Sequence, residues 1–166
     1  MFKKPDFDRL KSMAQIQTIS PFDFEYFGKF FLESMGYTGA FVSEKRGALG
    51  GDGGIDITCV KGGKKTLVQC KKWRFGFRGS IPIAVIRELG GCMLRDKAPR
   101  GIVFSTLGFD TLCRNEALKM GIDLIGPAEI LLHMQKIHPG FRSTESLWAR
   151  LLRLLRMLLG LEKRYR

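Results

Sequence analysis

Asp56, Gln69 and Lys71 are the residues whose types and spacing could do chemistry. They lie in two short apolar runs, Gly54-Ile-Asp-Ile-Thr-Cys-Val60 and Thr66-Leu-Val-Gln-Cys-Lys-Lys72, separated by Lys61-Gly-Gly-Lys-Lys65. Two strand-like runs around a Gly-Gly dipeptide predict a β-hairpin. With Gly62-Gly63 as its two-residue turn, Asp56 falls opposite Gln69. Lys71 shares the face of Gln69, because side chains alternate along a strand. Ile55, Ile57, Val68 and Cys70 then share the other face, as a core requires. A one-residue slip would scramble both faces, so the two patterns support a single register.

An acid, an amide and an amine on one side of a hairpin suit metal-assisted hydrolysis of a phosphodiester. A hard cation takes oxygen ligands, and the Asp56 carboxylate, the Gln69 side-chain carbonyl and the Cys70 backbone carbonyl are three candidates. Lys71 could hold or deprotonate an attacking water and steady charge on the phosphate. Taken alone, the same spacing also fits a surface hairpin with ordinary polar decoration.

The surrounding sequence narrows the choice. Gly50-Gly-Asp52-Gly-Gly54-Ile-Asp56 precedes the turn and Gln69-Cys-Lys71 follows it. Phe24-Glu25 opens a helical pattern that ends at Met35-Gly-Tyr37, and Val85-Ile-Arg-Glu-Leu-Gly90 follows the hairpin. Gly101-Ile-Val-Phe-Ser-Thr106 and Gly121-Ile-Asp-Leu-Ile-Gly126 come next. In this order the residues resemble the Mrr-like type IV restriction endonucleases, a branch of the PD-(D/E)xK nuclease superfamily, over roughly residues 20–137. The resemblance implies a restriction-endonuclease-like α/β fold, a three-layer αβα core around a mixed β-sheet. It implies a divalent cation, Mg²⁺ or Mn²⁺, and DNA as substrate. It also implies that Glu25, an acid on the first helix, reaches the metal, often through water; the ordinary reading is an exposed glutamate near the positive helix end. Glutamine in place of the superfamily's commoner glutamate removes a charge and should loosen metal binding, yet it matches the Mrr-like branch.

Composition agrees with a nucleic-acid partner. The 166 residues are 45% hydrophobic, enough for one domain with a sizeable core. Lys and Arg number 28 against 16 acids, a net charge of +12. Such an excess favours a polyanion, nucleic acid first and an acidic membrane surface second. Cysteines at 59, 70, 92 and 113 lack zinc-site spacing, so buried free thiols are expected at Cys59 and Cys70. Met1-Phe-Lys-Lys-Pro is followed by no apolar run, and a cytoplasmic protein is expected.

Three segments are expected. Residues 1–19 form a basic lead-in, 20–137 the nuclease-like domain, and 138–166 a linker and a basic amphipathic C-terminal helix. Asp23 is the expected cap of a helix over 24–35. Later elements are expected at 82–94, 101–106, 109–120, 122–125 and 127–136, an alternation that implies a sheet covered by helices.

Other residues carry weaker signals. Lys71-Lys-Trp-Arg-Phe-Gly-Phe-Arg78 interleaves cations with aromatics. Lys72, Arg74 and Arg78 are candidate DNA-phosphate contacts, while Trp73 and the phenylalanines are expected to pack under the next helix. Asp52 could orient the glycine loop or touch the metal shell, or simply serve the turn. Gly50–Gly54 lack the Gly-Lys-Ser/Thr ending of a P-loop, so no nucleotide partner is expected. Ser105 and Thr106 could meet a phosphate or cap the following helix. His133 and His138 form no recognisable triad.

The tail from Ser146 is leucine-rich with arginines at 150, 153 and 156, and it is too interrupted to span a bilayer. Docking on its own domain, a homodimer through this helix, a membrane-surface helix and an external partner remain open. The expected activity is a divalent-metal-dependent DNA endonuclease serving restriction or defence against foreign DNA. The alternatives are a nucleic-acid-binding module that keeps the fold without cleavage, and a Holliday-junction-type resolvase.

Overall fold

The computed structural model describes residues 7, 10–43, 54–73 and 79–142. Apolar alternation and two apolar-faced helix sets build one mixed sheet between two helical layers. The elements run α1 (Met13–Thr18), α2 (Pro21–Ser34), β1 (Thr38–Val42), β2 (Ile57–Lys61), β3 (Lys64–Lys71), α3 (Ile83–Arg95), β4 (Arg100–Ser105), α4 (Thr111–Met120), β5 (Ile122–Ile125) and α5 (Pro127–Ile137). The strands lie side by side in chain order. β1, β2 and β3 pair antiparallel, whereas β3, β4 and β5 pair parallel, with α3 and α4 as the crossovers. This is the three-layer αβα, mixed-sheet, restriction-endonuclease-like fold. The C-terminal helix expected beyond residue 142 lies outside the described residues.

From Ile57 to the turn the hairpin register is the expected one, but the expected Asp56–Gln69 pair is not part of the ladder. Ile57 pairs with Val68 and Lys61 with Lys64. Gly62 and Gly63 both take positive φ, 57° and 73°, as a two-residue turn that follows strand twist requires. One face of the sheet buries Ile57, Cys59, Val68, Ile102 and Phe104 against α2 and α5. Phe24, Phe27 and Phe31 of α2 surround Phe104, with ring centroids 5.0, 5.9 and 5.2 Å away. Each such buried ring stabilises the fold by about 1.5–3 kcal/mol relative to exposure. The other face buries Leu67, Val103 and Ile122 against Ile86 and Leu89 of α3 and Cys113 and Ala117 of α4.

Four expectations need correction. Ser20, not Asp23, caps α2: its hydroxyl accepts the Asp23 N–H at 3.0 Å and donates to Asp23 Oδ2 at 2.7 Å, with Pro21 in the first turn. Proline has no amide proton to satisfy there, which moves the start upstream. Second, Ile55 joins the α3 side rather than the face of Ile57. The Asp56 N–H donates to the Val68 carbonyl at 2.9 Å although Val68 is already the partner of Ile57, so the strand slips by one residue and Ile55 changes face. Third, the lead-in, which carries little pattern in the sequence, contributes to the core: Phe7, Met13 and Ile16 are buried beside Phe141, and the Met13 N–H donates to the Arg142 carbonyl. Fourth, Cys70 is only half-buried; Cys59, Cys92 and Cys113 are buried, and all four are free thiols.

Candidate active site

The slip at Asp56 makes the site. β2 ends its ladder with β3 at Ile57, and just before it Asp56 donates its N–H to the Val68 carbonyl and accepts the Ser43 N–H at its own carbonyl. There Asp56 Oδ2 accepts the backbone N–H of Cys70 at 2.7 Å. A carboxylate accepting a backbone N–H is a charge-assisted bond, stronger than its neutral counterpart. It holds a buried acid, 2% exposed, at the strand end.

Gln69 is equally buried, at 2%. With its amide oriented by its hydrogen bonds, the NH₂ donates to the Val85 carbonyl at 3.2 Å and the oxygen accepts from Lys71 Nζ at 3.1 Å. The first turn of α3 thus orients Gln69 through a backbone carbonyl, a partner with no sequence signal. Gly54 approaches from the other side: a Cβ there would lie 2.8 Å from the Gln69 amide, and φ is +82°. Its position in the glycine-rich run was visible in the sequence, but the reason for glycine was not. Lys71 is half-buried, so its ammonium lies beside the amide oxygen and within reach of solvent.

Glu25 sits half-buried on α2, one turn before Gly28. A Cβ at Gly28 would lie 3.1 Å from Ile57 Cδ1 and 3.3 Å from Cys70 Sγ. Positions three apart share a helix flank, so Glu25 is on the flank that meets β2 and β3 near Cys70. Lys72, half-buried, follows the strand. Arg74, Arg78 and Asp52 lie outside the described residues. Trp73 packs against the α3-side core, as expected.

The hydroxyls beside the site hold backbone rather than cap a helix. Thr106 Oγ1 accepts the Trp73 N–H at 3.0 Å, and Ser105 Oγ accepts the Leu107 N–H at 2.9 Å. Asp110 caps α4 instead, accepting the Cys113 N–H at 2.8 Å. Away from the site, His133 Nε2 lies 2.7 Å from Ser34 Oγ, and burial lowers its pKa.

The donor chemistry fits a hard cation. Among the described residues no three His, Cys, Asp or Glu side chains gather to hold a metal. A cation here would rely on the Asp56 carboxylate, the Gln69 amide oxygen and the Cys70 carbonyl, an all-oxygen set of the kind Mg²⁺ and Mn²⁺ accept and Zn²⁺ does not favour.

Comparison with known proteins decides the family. A family model described as restriction endonuclease, Mrr_cat, matches residues 16–134. The chain belongs to this restriction endonuclease family. Membership makes it a nuclease-family domain. No curated protein matches it. Among solved structures, the crystal structure of a protein of unknown function, AF1548, is similar with a TM-score of 0.52 at 14% identity, covering 64% of this chain and 58% of that one. Can2 from Sulfobacillus thermosulfidooxidans, solved with cyclic tetra-adenylate, gives a TM-score of 0.48 at 16% identity, covering 69% of this chain and 34% of that one. The chain therefore spans under two thirds of either relative's length, and at such identities the likeness to AF1548 speaks for the fold alone. No helix among the described residues is long and apolar enough to cross a membrane.

Proposed function

We propose that this domain is a divalent-metal-dependent DNA endonuclease that hydrolyses phosphodiester bonds, in restriction or defence against foreign DNA. What supports the reading is membership of the restriction endonuclease family together with two contacts at the end of β3, Asp56 with the Cys70 N–H and Gln69 with Lys71 Nζ. Asp56, Gln69 and the Cys70 carbonyl would hold the cation, which when bound supplies Lewis-acid stabilisation of phosphate charge. Glu25 would complete the polar shell from α2.

The chain's own groups have definable roles. The Cys70 N–H and the buried surroundings keep the Asp56 carboxylate in one orientation. Lys71 Nζ, aimed by the Gln69 oxygen, places positive charge where the scissile phosphate gains negative charge. It is also the group to hold or move a proton of the attacking water. Lys72, with Arg74 and Arg78 just beyond, would bind flanking phosphates, which position DNA without reading its sequence. One domain supplies one cut, so a second copy, joined through the leucine-rich tail, would complete a double-strand break.

The test is incubation of the purified protein with unmodified, base-modified and branched DNA, in Mg²⁺, Mn²⁺ or EDTA, beside Lys71→Ala. Metal-dependent cleavage that Lys71→Ala loses supports the reading. Cleavage confined to branched DNA would assign a junction resolvase. DNA binding without cleavage under any metal would leave a binding module.

A further inference from the structure

The parallel strands begin at the end of the sheet opposite Gln69 and Lys71, and there a cavity of about 510 Å³ opens. Lys61 and Lys64 reach it from either side of the hairpin turn, Arg100 from the first position of β4, and Asp123 from β5. Tyr37 forms part of the wall, with Lys61 Nζ 4.6 Å from its ring centroid and 3.1 Å from the Met35 carbonyl. Lys64, Arg100 and Asp123 are exposed, and among the described residues none of the three forms an ion pair. Burial, then the Asp123 and Cys59 charges, raise the pKa of the Tyr37 hydroxyl against the opposing effect of Arg100.

We propose that this cavity is a second ligand site, separate from the nuclease site, and that it takes a nucleotide. Three cations converge from β2, β3 and β4, and among the described residues Asp123 is the one acid lining the cavity with them. Phosphate oxygens suit Lys61, Lys64 and Arg100. A bare polyphosphate would meet repulsion from Asp123, whereas a nucleotide also brings hydroxyl and amine donors for that carboxylate. The volume lies in the range of small-ligand sites, about 300–1,000 Å³. A duplex seated at Lys71 would have to run the length of β3, about 23 Å from Lys71 to Lys64, before it reached this cavity. This reading departs from the expected absence of a nucleotide partner, which was drawn from the glycine-rich run at 50–54 alone. The phosphate could belong to a free nucleotide or to the terminal nucleotide of a strand, and the same residues would recognise either.

Calorimetric titration tests it with three probes: a 5′-phosphorylated dinucleotide, a 5′-phosphorylated DNA hairpin, and pyrophosphate. The dinucleotide should bind the unaltered protein and Lys71→Ala equally. Its Kd should rise at least tenfold in Lys64→Ala/Arg100→Ala, whose positions are exposed and whose melting temperature should be unchanged. Asp123→Asn should weaken the dinucleotide and tighten pyrophosphate. Binding of the hairpin alone, with the same dependence on Lys64 and Arg100, would assign the site to strand ends. Equal dinucleotide affinity in the double variant, or pyrophosphate binding as tightly with no response to Asp123→Asn, would overturn the proposal. The readout is binding, so absence of cleavage would leave it standing.

Discussion

The Cys70 backbone N–H donates to Asp56 Oδ2 at 2.7 Å, so one carboxylate both ends a strand ladder and stands as the candidate cation ligand. The two duties separate by substitution. Asp56→Asn keeps an oxygen for the Cys70 N–H and loses the charge, so cleavage should fall by about 10²-fold or more with the melting temperature held. Asp56→Ala also strands the N–H and should cost a further 1–3 kcal/mol or about that much in denaturant unfolding. Full activity in both variants would move the site elsewhere.

Gln69→Glu should push affinity and stability in opposite directions. A carboxylate adds charge to the oxygen set, so the half-saturating Mg²⁺ concentration for cleavage should fall several-fold. The same change removes the NH₂ that the Val85 carbonyl accepts at 3.2 Å. In EDTA the variant should therefore be less stable by about 1–3 kcal/mol. Thermal melts with and without Mg²⁺ measure both effects.

Gly54→Ala should damage the site without touching a candidate ligand. Its Cβ would lie 2.8 Å from the Gln69 amide at φ +82°. The backbone strain is about 1–3 kcal/mol, and Gln69, buried, has little room to withdraw. Lower activity with a lower melting temperature is expected, whereas Gly63→Asn at the turn, where asparagine tolerates positive φ, should leave activity intact.

Two thiols predict the alkaline limb of stability. Burial raises Cys59 to about 11, and burial with the Asp110 contact raises Cys113 to about 11, from 9.0 in both cases. Between those values the unfolded chain releases protons that the folded chain keeps. Their contribution is complete below pH 9.0 and is lost as pH rises toward about 11. The urea midpoint should fall across that window, and less steeply in Cys59→Val. Alkylation of both thiols should be slow in the native protein at neutral pH and fast in denaturant.

The hairpin was legible because a Gly-Gly turn and apolar alternation on both sides agree on one register, and β5 was legible because Gly121 and Gly126 bracket a short apolar run. The slip at Asp56 was not. It depends on a carboxylate taking an N–H that a neighbouring strand would otherwise take, and alternation alone cannot report that exchange. The lead-in was missed for another reason. Met13 and Ile16 make one apolar pair on a six-residue helix, too short for a periodic signal. Val85 entered the site through its carbonyl, which every residue possesses. The hydroxyls at Ser105 and Thr106 were recognised as polar groups near the strand end, but their partners come from segments remote in sequence or from the turn itself.

The two-residue turn between β2 and β3 also bears on the order of assembly. Closing it costs little chain entropy, whereas pairing β3 with β4 must first enclose the whole crossover through α3. Asp56 and Cys70 are thus brought together by the cheapest tertiary contact in the sheet. φ-values should be higher for Val68→Ala, within the hairpin, than for Ile125→Val on the last strand. In that sequence of events the site's framework exists before the domain around it closes, and the late strands seal a geometry that the early hairpin has already set.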